Sequence, residues 1–198
     1  MFVWKYNIVE IADWAKTTTL LSIFKMQAKQ VESDIWRWII EFVEQNHRFY
    51  DYKFPPCPYA RQARLKGLVD VQVYQQNPRQ FVRDQIDNLV QHKDVNVRVL
   101  AFPYWMRWNY LLRWQITRRN RSLVKSDYYA QFGAATTTKS CYPGWFKNRP
   151  YFIVIINKVS DVIQAQAALE RTDYYQNWTA RHYHNVVTKR NRIFKGSK

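Results

Sequence analysis

Two stretches of the chain bring together residue types that do chemistry at short spacing. From Tyr104 to Lys125, Trp105, Trp108, Tyr110 and Trp114 are interleaved with Arg107, Arg113, Arg118, Arg119, Arg121 and Lys125. A guanidinium binds phosphate through two parallel N–H donors, and an indole offers a flat face on which an unpaired base stacks. The combination suits single-stranded nucleic acid, with the arginines on phosphates and Trp105 and Trp108 as stacking platforms. Lys189, Arg190, Arg192 and Lys195 extend the cationic set near the C-terminus. The competing reading is structural. Trp108, Leu111, Leu112 and Ile116 then form the buried stripe of a helix, and the arginines are solvated or pair with another subunit.

The second stretch runs Pro55-Pro56-Cys57-Pro58-Tyr59-Ala60-Arg61-Gln62-Ala63-Arg64. Pro58 suits the first position of a helix, which places Cys57 at the N-cap, facing unpaired backbone N–H groups and the positive end of the helix dipole. Arg61 and Arg64 fall within the first two turns. All three influences favour thiolate, so Cys57 is the candidate nucleophile of a thiol-dependent enzyme. Against this stands a small buried hydrophobe under a proline-rich loop. No His or Asp is spaced to identify a partner base.

The motif Cys57-Pro58-Tyr59-Ala60 follows a helix bearing Trp36 and Trp38 and precedes a basic residue and a strand. In this it resembles an uncharacterised bacterial domain family with a Cys-Pro-Phe-Ala signature, Tyr59 standing where that family has Phe. Asn148-Arg149-Pro150-Tyr151 before a strand and a Ser-Asp-Val helix start at Ser160 add to the likeness, which covers Asp34 to Leu169. The resemblance implies an α/β fold and no particular reaction.

Charge points the same way as the arginines. The 198 residues carry a formal +16, and the sequence pI is about 9.9. Residues 1–99 hold fourteen Lys and Arg against eleven Asp and Glu, a net of +3; residues 100–198 hold seventeen against four, a net of +13. A surplus so concentrated expects nucleic acid or another polyanion as partner. Only four glycines are present, too few for a Walker A loop or a dinucleotide fingerprint, and the run Thr136 to Ser140 lacks them altogether. No GxSxG, helix-turn-helix, zinc-finger or RNP signature appears.

The four histidines are scattered and neither Cys57 nor Cys141 belongs to a CxxC pair, so no metal and no cofactor are expected. His182-x-His184 suits a solvated or stacking role. Asp84, Asp87, Asp94 and Asp127 could form a magnesium-binding nuclease cluster, yet Asp84 and Asp87 fall on the polar face of a helix, where a solvated surface is the ordinary explanation. No apolar run is long enough to span a membrane, and no cleavable leader is expected. A cytoplasmic location (the host cytoplasm for a viral chain) and two free thiols follow as expectations.

The elements that would position these groups are legible from periodicity. A helix is expected over Ser33–Asn46, a strand over Leu68–Val73, and a helix starting at Asn77-Pro78 with Val82, Ile86, Leu89 and Val90 inward. A strand over Val95–Phe102 completes a βαβ unit. A basic, aromatic helix fills Trp105–Val124, followed by an irregular stretch from Gly133 to Gly144. A nearly all-apolar strand over Tyr151–Asn157 reads as central. Next comes a helix capped by Ser160 or Asp161. Residues 1–30 are read as an N-terminal extension of no assigned structure and 179–198 as a basic tail that ends without caps.

The expected fold class is therefore a single α/β domain over residues 1–198. Its three- to four-stranded, at least partly parallel sheet (βαβ core) is flanked by helices. The expected function is binding of RNA or single-stranded DNA through phosphates. The alternatives are the Cys57 enzyme and a structural or assembly subunit of a virus or large complex, with a protein partner.

Overall fold

The computed structural model describes residues 28–74, 77–92, 94–103, 110–132 and 151–195. The first helix, α1 (28–43), ends in a π-turn over Ile39–Val43. Ile35, Trp38, Ile39 and Phe42 recur at helical spacing and are its buried stripe, while Arg37 and Glu41 pair outside at 2.9 Å. The short helix α2 (Ala60–Leu65) ends at Gly67, whose φ of +68° is the left-handed conformation that closes a helix at low cost.

The βαβ unit is present. Strand β1 (Val69–Val73), helix α3 (Pro78–His92) and strand β2 (Val97–Pro103) follow in order, and β1 and β2 pair in parallel with Val69 opposite Val97. Asn77 caps α3 as its position before Pro78 predicts: Oδ1 accepts from the Arg79 N–H at 3.1 Å. Helix α4 (Tyr110–Lys125) leads into β3 (Tyr128–Phe132), then β4 (Tyr151–Lys158) and α5 (Val159–Leu169). The strand order is β1-β2-β4-β3, with β4 antiparallel to both neighbours. The apolar run from Tyr151 thus lies inside the sheet, as expected. The strand β3 was not anticipated.

Successive side chains of β2 and β4 point to opposite faces, which gives two cores. On one face Leu100, Phe102, Phe152, Val154 and Ile156 meet Val82, Ile86 and Leu89 of α3 and Leu112, Ile116 and Leu123 of α4. On the other, Val99, Ala101 and Ile153 meet Ile35, Trp38, Ile39 and Phe42 of α1. One charged side chain, Arg98, is buried on the α3 face. Its Nε lies 2.7 Å from Asp70 Oδ2, and Nη1 donates to the Gln85 carbonyl at 2.9 Å and to Asn88 Oδ1 at 3.0 Å.

One capping expectation is corrected. Neither Ser160 nor Asp161 occupies the N-cap of α5, which is Lys158 with no side-chain cap. Asp127 reaches over from the α4–β3 turn instead, and accepts from the Ser160 N–H at 2.9 Å. The basic tail starts at a cap. Thr179 Oγ1 accepts from the His182 N–H at 3.2 Å and starts helix α6 (180–195), which runs through a π-turn at His184–Thr188.

An aromatic clasp joins the two halves of the chain. Tyr50 stacks on Tyr174 at 4.7 Å between centroids, the Tyr174 hydroxyl donates to the Pro56 carbonyl at 2.6 Å, and Asn177 Nδ2 donates to the Phe49 carbonyl at 2.7 Å. Among the described residues no helix is long and apolar enough to cross a membrane.

Candidate nucleic-acid interface

Helices α3 and α4 lie side by side on one face of the sheet, each with its apolar stripe inward. Their outer faces leave a groove of about 660 Å³ between them. Arg79 and Arg83, four residues apart and so on one face of α3, form one wall. Leu111, Trp114, Arg118 and Arg121 belong to the α4 wall, together with Arg119 and Ser122. No carboxylate among the described residues lines it. Gln115 fixes the spacing of the two helices near the start of α3, its Nε2 donating to the Arg79 carbonyl at 3.0 Å.

The cations of the groove differ in how free they are. Arg79, Arg83, Arg118 and Arg121 are exposed. Arg119 is half-buried and stands 3.6 Å from Asp87, a loose pair in a well-solvated setting. Arg118 lies over the Trp114 ring, 5.0 Å from its centroid, a cation–π contact between residues one helical turn apart. A second, shallower hollow of about 420 Å³ is lined by Trp114, Thr117, Arg118 and Arg121. Trp114, Arg118 and Arg121 therefore form a ridge shared by both depressions.

Of the site residues expected from the sequence, Arg118, Arg119 and Arg121 come together here. Arg113 does not. It projects from the opposite flank of α4 and lies over Phe132 of β3 at 4.4 Å. Lys125 is exposed at the end of α4 but does not line the groove. Trp105, Arg107 and Trp108 lie outside the described residues. Leu111, expected in the core, is 58 % exposed and faces the groove; Leu112 and Ile116 are buried as expected.

On α6, Lys189, Arg192 and Lys195 are exposed, but Arg190 is not. It is buried, and its Nη2 donates to Gln166 Oε1 at 2.6 Å. Burial holds its pKa below the ordinary guanidinium value, opposed by the phenols of Tyr175, Tyr129 and Tyr183. It is a structural residue, not part of a cationic surface. Arg79 and Arg83 are the groove residues that sequence reasoning missed. Their signal was present as two arginines four apart on the exposed side of an amphipathic helix, inside a half of the chain whose net charge is small.

The Cys57 segment folds differently from expectation. Helix α2 begins at Ala60 with Tyr59 as its N-cap, and Cys57 lies in the turn before it, its carbonyl accepting from the Ala60 N–H at 3.1 Å. The Tyr59 and Ala60 N–H groups do pull the thiol toward ionisation, as a helix start should. Burial outweighs them, and the carboxylate of Glu44 adds to it, so the thiol pKa is raised. Arg64 is engaged elsewhere. Its Nε and Nη2 clamp the two oxygens of Glu44 at 2.7 and 2.9 Å.

Tyr59, the position at which the motif departs from Cys-Pro-Phe-Ala, has a structural use for its hydroxyl. That hydroxyl donates to Asp161 Oδ2 at 2.7 Å and accepts from Asn96 Nδ2 at 3.2 Å, tying α2 to α5 and to the start of β2. Asp127 is committed to the start of α5, Asp87 pairs only loosely with Arg119, and no metal-ligating cluster occurs among the described residues.

No protein-family model matches this chain, and no curated protein or solved structure is detectably similar to it. The likeness to the Cys-Pro-Phe-Ala family rests on the motif residues alone.

Proposed function

We propose that the protein binds nucleic acid, RNA or single-stranded DNA, through phosphate contacts in the α3–α4 groove. One observation carries this reading: four exposed arginines from two helices converge on a single concavity with no carboxylate in its described walls. Like charges held together raise the free energy of the folded chain by mutual repulsion, and a polyanion in the groove relieves that repulsion. Arginine also suits the ligand, since its fork of donors matches phosphate oxygens two at a time. Sequence-specific readout of a duplex has no support, because neither helix is presented as a recognition helix of a known motif.

The test is fluorescence anisotropy of labelled single-stranded oligonucleotides with the native chain and with Arg79→Glu/Arg83→Glu/Arg118→Glu/Arg121→Glu. The native chain is expected to bind in the micromolar range or tighter, and the variant to lose at least about a hundredfold at low salt while keeping its helix content. Equal affinity of the two proteins overturns the proposal.

One observation favours an assembly partner as second reading. Tyr110, Leu111 and Trp114 are 79, 58 and 58 % exposed beside arginines, a composition that protein interfaces share. Tight self-association of nucleic-acid-free protein, abolished by Leu111→Ser, would favour it over the groove reading.

A further inference from the structure

The geometry points to Trp114 as a nucleobase subsite: an unpaired base lies on the open face of its indole while the neighbouring phosphates sit in the two hollows on either side. This rests on the nucleic-acid reading above and adds what a purely phosphate-binding groove lacks, a means of telling an unpaired strand from a duplex or a base-free polyanion. The argument has three parts.

First, Trp114 is placed where a strand must cross. It belongs to both hollows, on the ridge of α4 between them, so a ligand whose charges occupy both hollows passes over it. Second, the ring is held in readiness. Arg118 lies over one face, 5.0 Å from the ring centroid, and Trp114 as a whole stays 58 % exposed. A base on the free side completes a sandwich of base, indole and guanidinium, in which the cation and the base polarise the ring from opposite sides. Third, the indole is not spent on the core of the domain. Leu112 and Ile116, two residues before and after it and on the opposite side of the helix, supply the packing of α4 against the sheet, and Trp114 takes no part in that core.

Stacking needs a base with a free π-face. A single strand offers one at every nucleotide, a duplex keeps its bases stacked on each other, and heparin has none. Every base serves, so the subsite favours single strands without choosing among sequences.

The test compares three probes (a short oligothymidine strand, a blunt duplex of the same length, and heparin) against the native chain, Trp114→Ala, Trp114→Phe and Arg118→Gln. Trp114→Ala is expected to weaken binding of the single strand by about tenfold or more while changing heparin affinity by less than about twofold. Trp114→Phe should recover most of the loss. Arg118→Gln should weaken all three probes, since it removes a phosphate donor as well as the support of the ring. A Trp114→Ala loss of equal size on heparin and on the single strand overturns the inference, and so does no loss on either. In both cases the phosphate reading survives if the native chain still binds. A native chain that binds none of the probes removes the phosphate reading and this inference with it.

Discussion

The side-chain amide of Asn120 pairs with both polar backbone groups of Ala130: Nδ2 donates to the carbonyl at 2.9 Å and Oδ1 accepts from the N–H at 2.8 Å. Ala130 sits in β3, an outer strand bonded on one side to β4. Its N–H and C=O turn outward, toward the place where a further strand would lie. The amide of Asn120 takes that place and closes the exposed edge of the strand. The same pair of bonds fixes the height and rotation of α4, whose outer face carries Trp114, Arg118 and Arg121.

Asn120→Ala should therefore destabilise the fold by about 2 kcal/mol, since it leaves two buried backbone groups without partners. Chemical denaturation monitored by far-ultraviolet circular dichroism measures this. A midpoint unchanged from the native chain would show that water satisfies the edge of β3 and that the amide pairing is incidental.

Arg98 and Arg190, both buried, should respond differently to methionine. Arg98 is ion-paired with Asp70 and bonded to Gln85 and Asn88, so Arg98→Met strands a partly buried carboxylate and is expected to cost about 2–3 kcal/mol. Among the described residues Arg190 pairs with no carboxylate. Its acceptor, Gln166 Oε1, keeps a second donor in Asn191 Nδ2 at 3.2 Å. Arg190→Met is expected to be neutral or stabilising and to leave nucleic-acid affinity unchanged. Unfolding midpoints of the two variants side by side check the contrast, and equal losses would refute it.

Cys57 should be a slow nucleophile. Its pKa is raised in the folded chain, so near neutrality it stays a protonated thiol and reacts with iodoacetamide more slowly than in the denatured chain. Rates are best followed in a Cys141→Ser background across neutral to alkaline pH. The folded protein's curve should lie to the alkaline side of the denatured one. A fast phase near neutrality would restore the thiol enzyme as a reading of this site.

How much of this was legible in the sequence depends on whether the deciding forces are local. The βαβ unit was, because Asn77-Pro78 starts α3 by local geometry and the change of apolar period from two to about four marks its borders. The central place of β4 was too, because Tyr151 to Ile156 leaves neither face polar. The strand β3 was not. Tyr128, Ala130 and Phe132 do alternate, but over five residues with alanine in the middle, and what completes the strand is Asn120, ten residues earlier on a helix. The start of α2 was missed because a proline at Pro58 is equally at home in the turn that precedes a helix.

The site was half legible. The charge surplus pointed to α4, but sequence alone cannot say which cations face outward. Arg190 follows a π-turn at His184–Thr188, whose wider turn rotates every later side chain away from a 3.6-residue period and carries this arginine inward. Arg79 and Arg83 entered the groove only because α3 packs beside α4, a tertiary fact.

The claim that four free arginines share one polyanion groove is tested most directly by the salt dependence of single-strand affinity. Each phosphate contact on a single strand contributes about −0.7 to the slope of log K against log salt. Four contacts predict a slope of about −3 for the native chain, falling to about −1.5 in Arg118→Gln/Arg121→Gln. An affinity that hardly changes from low to moderate salt, or a slope that the double substitution leaves untouched, would contradict it.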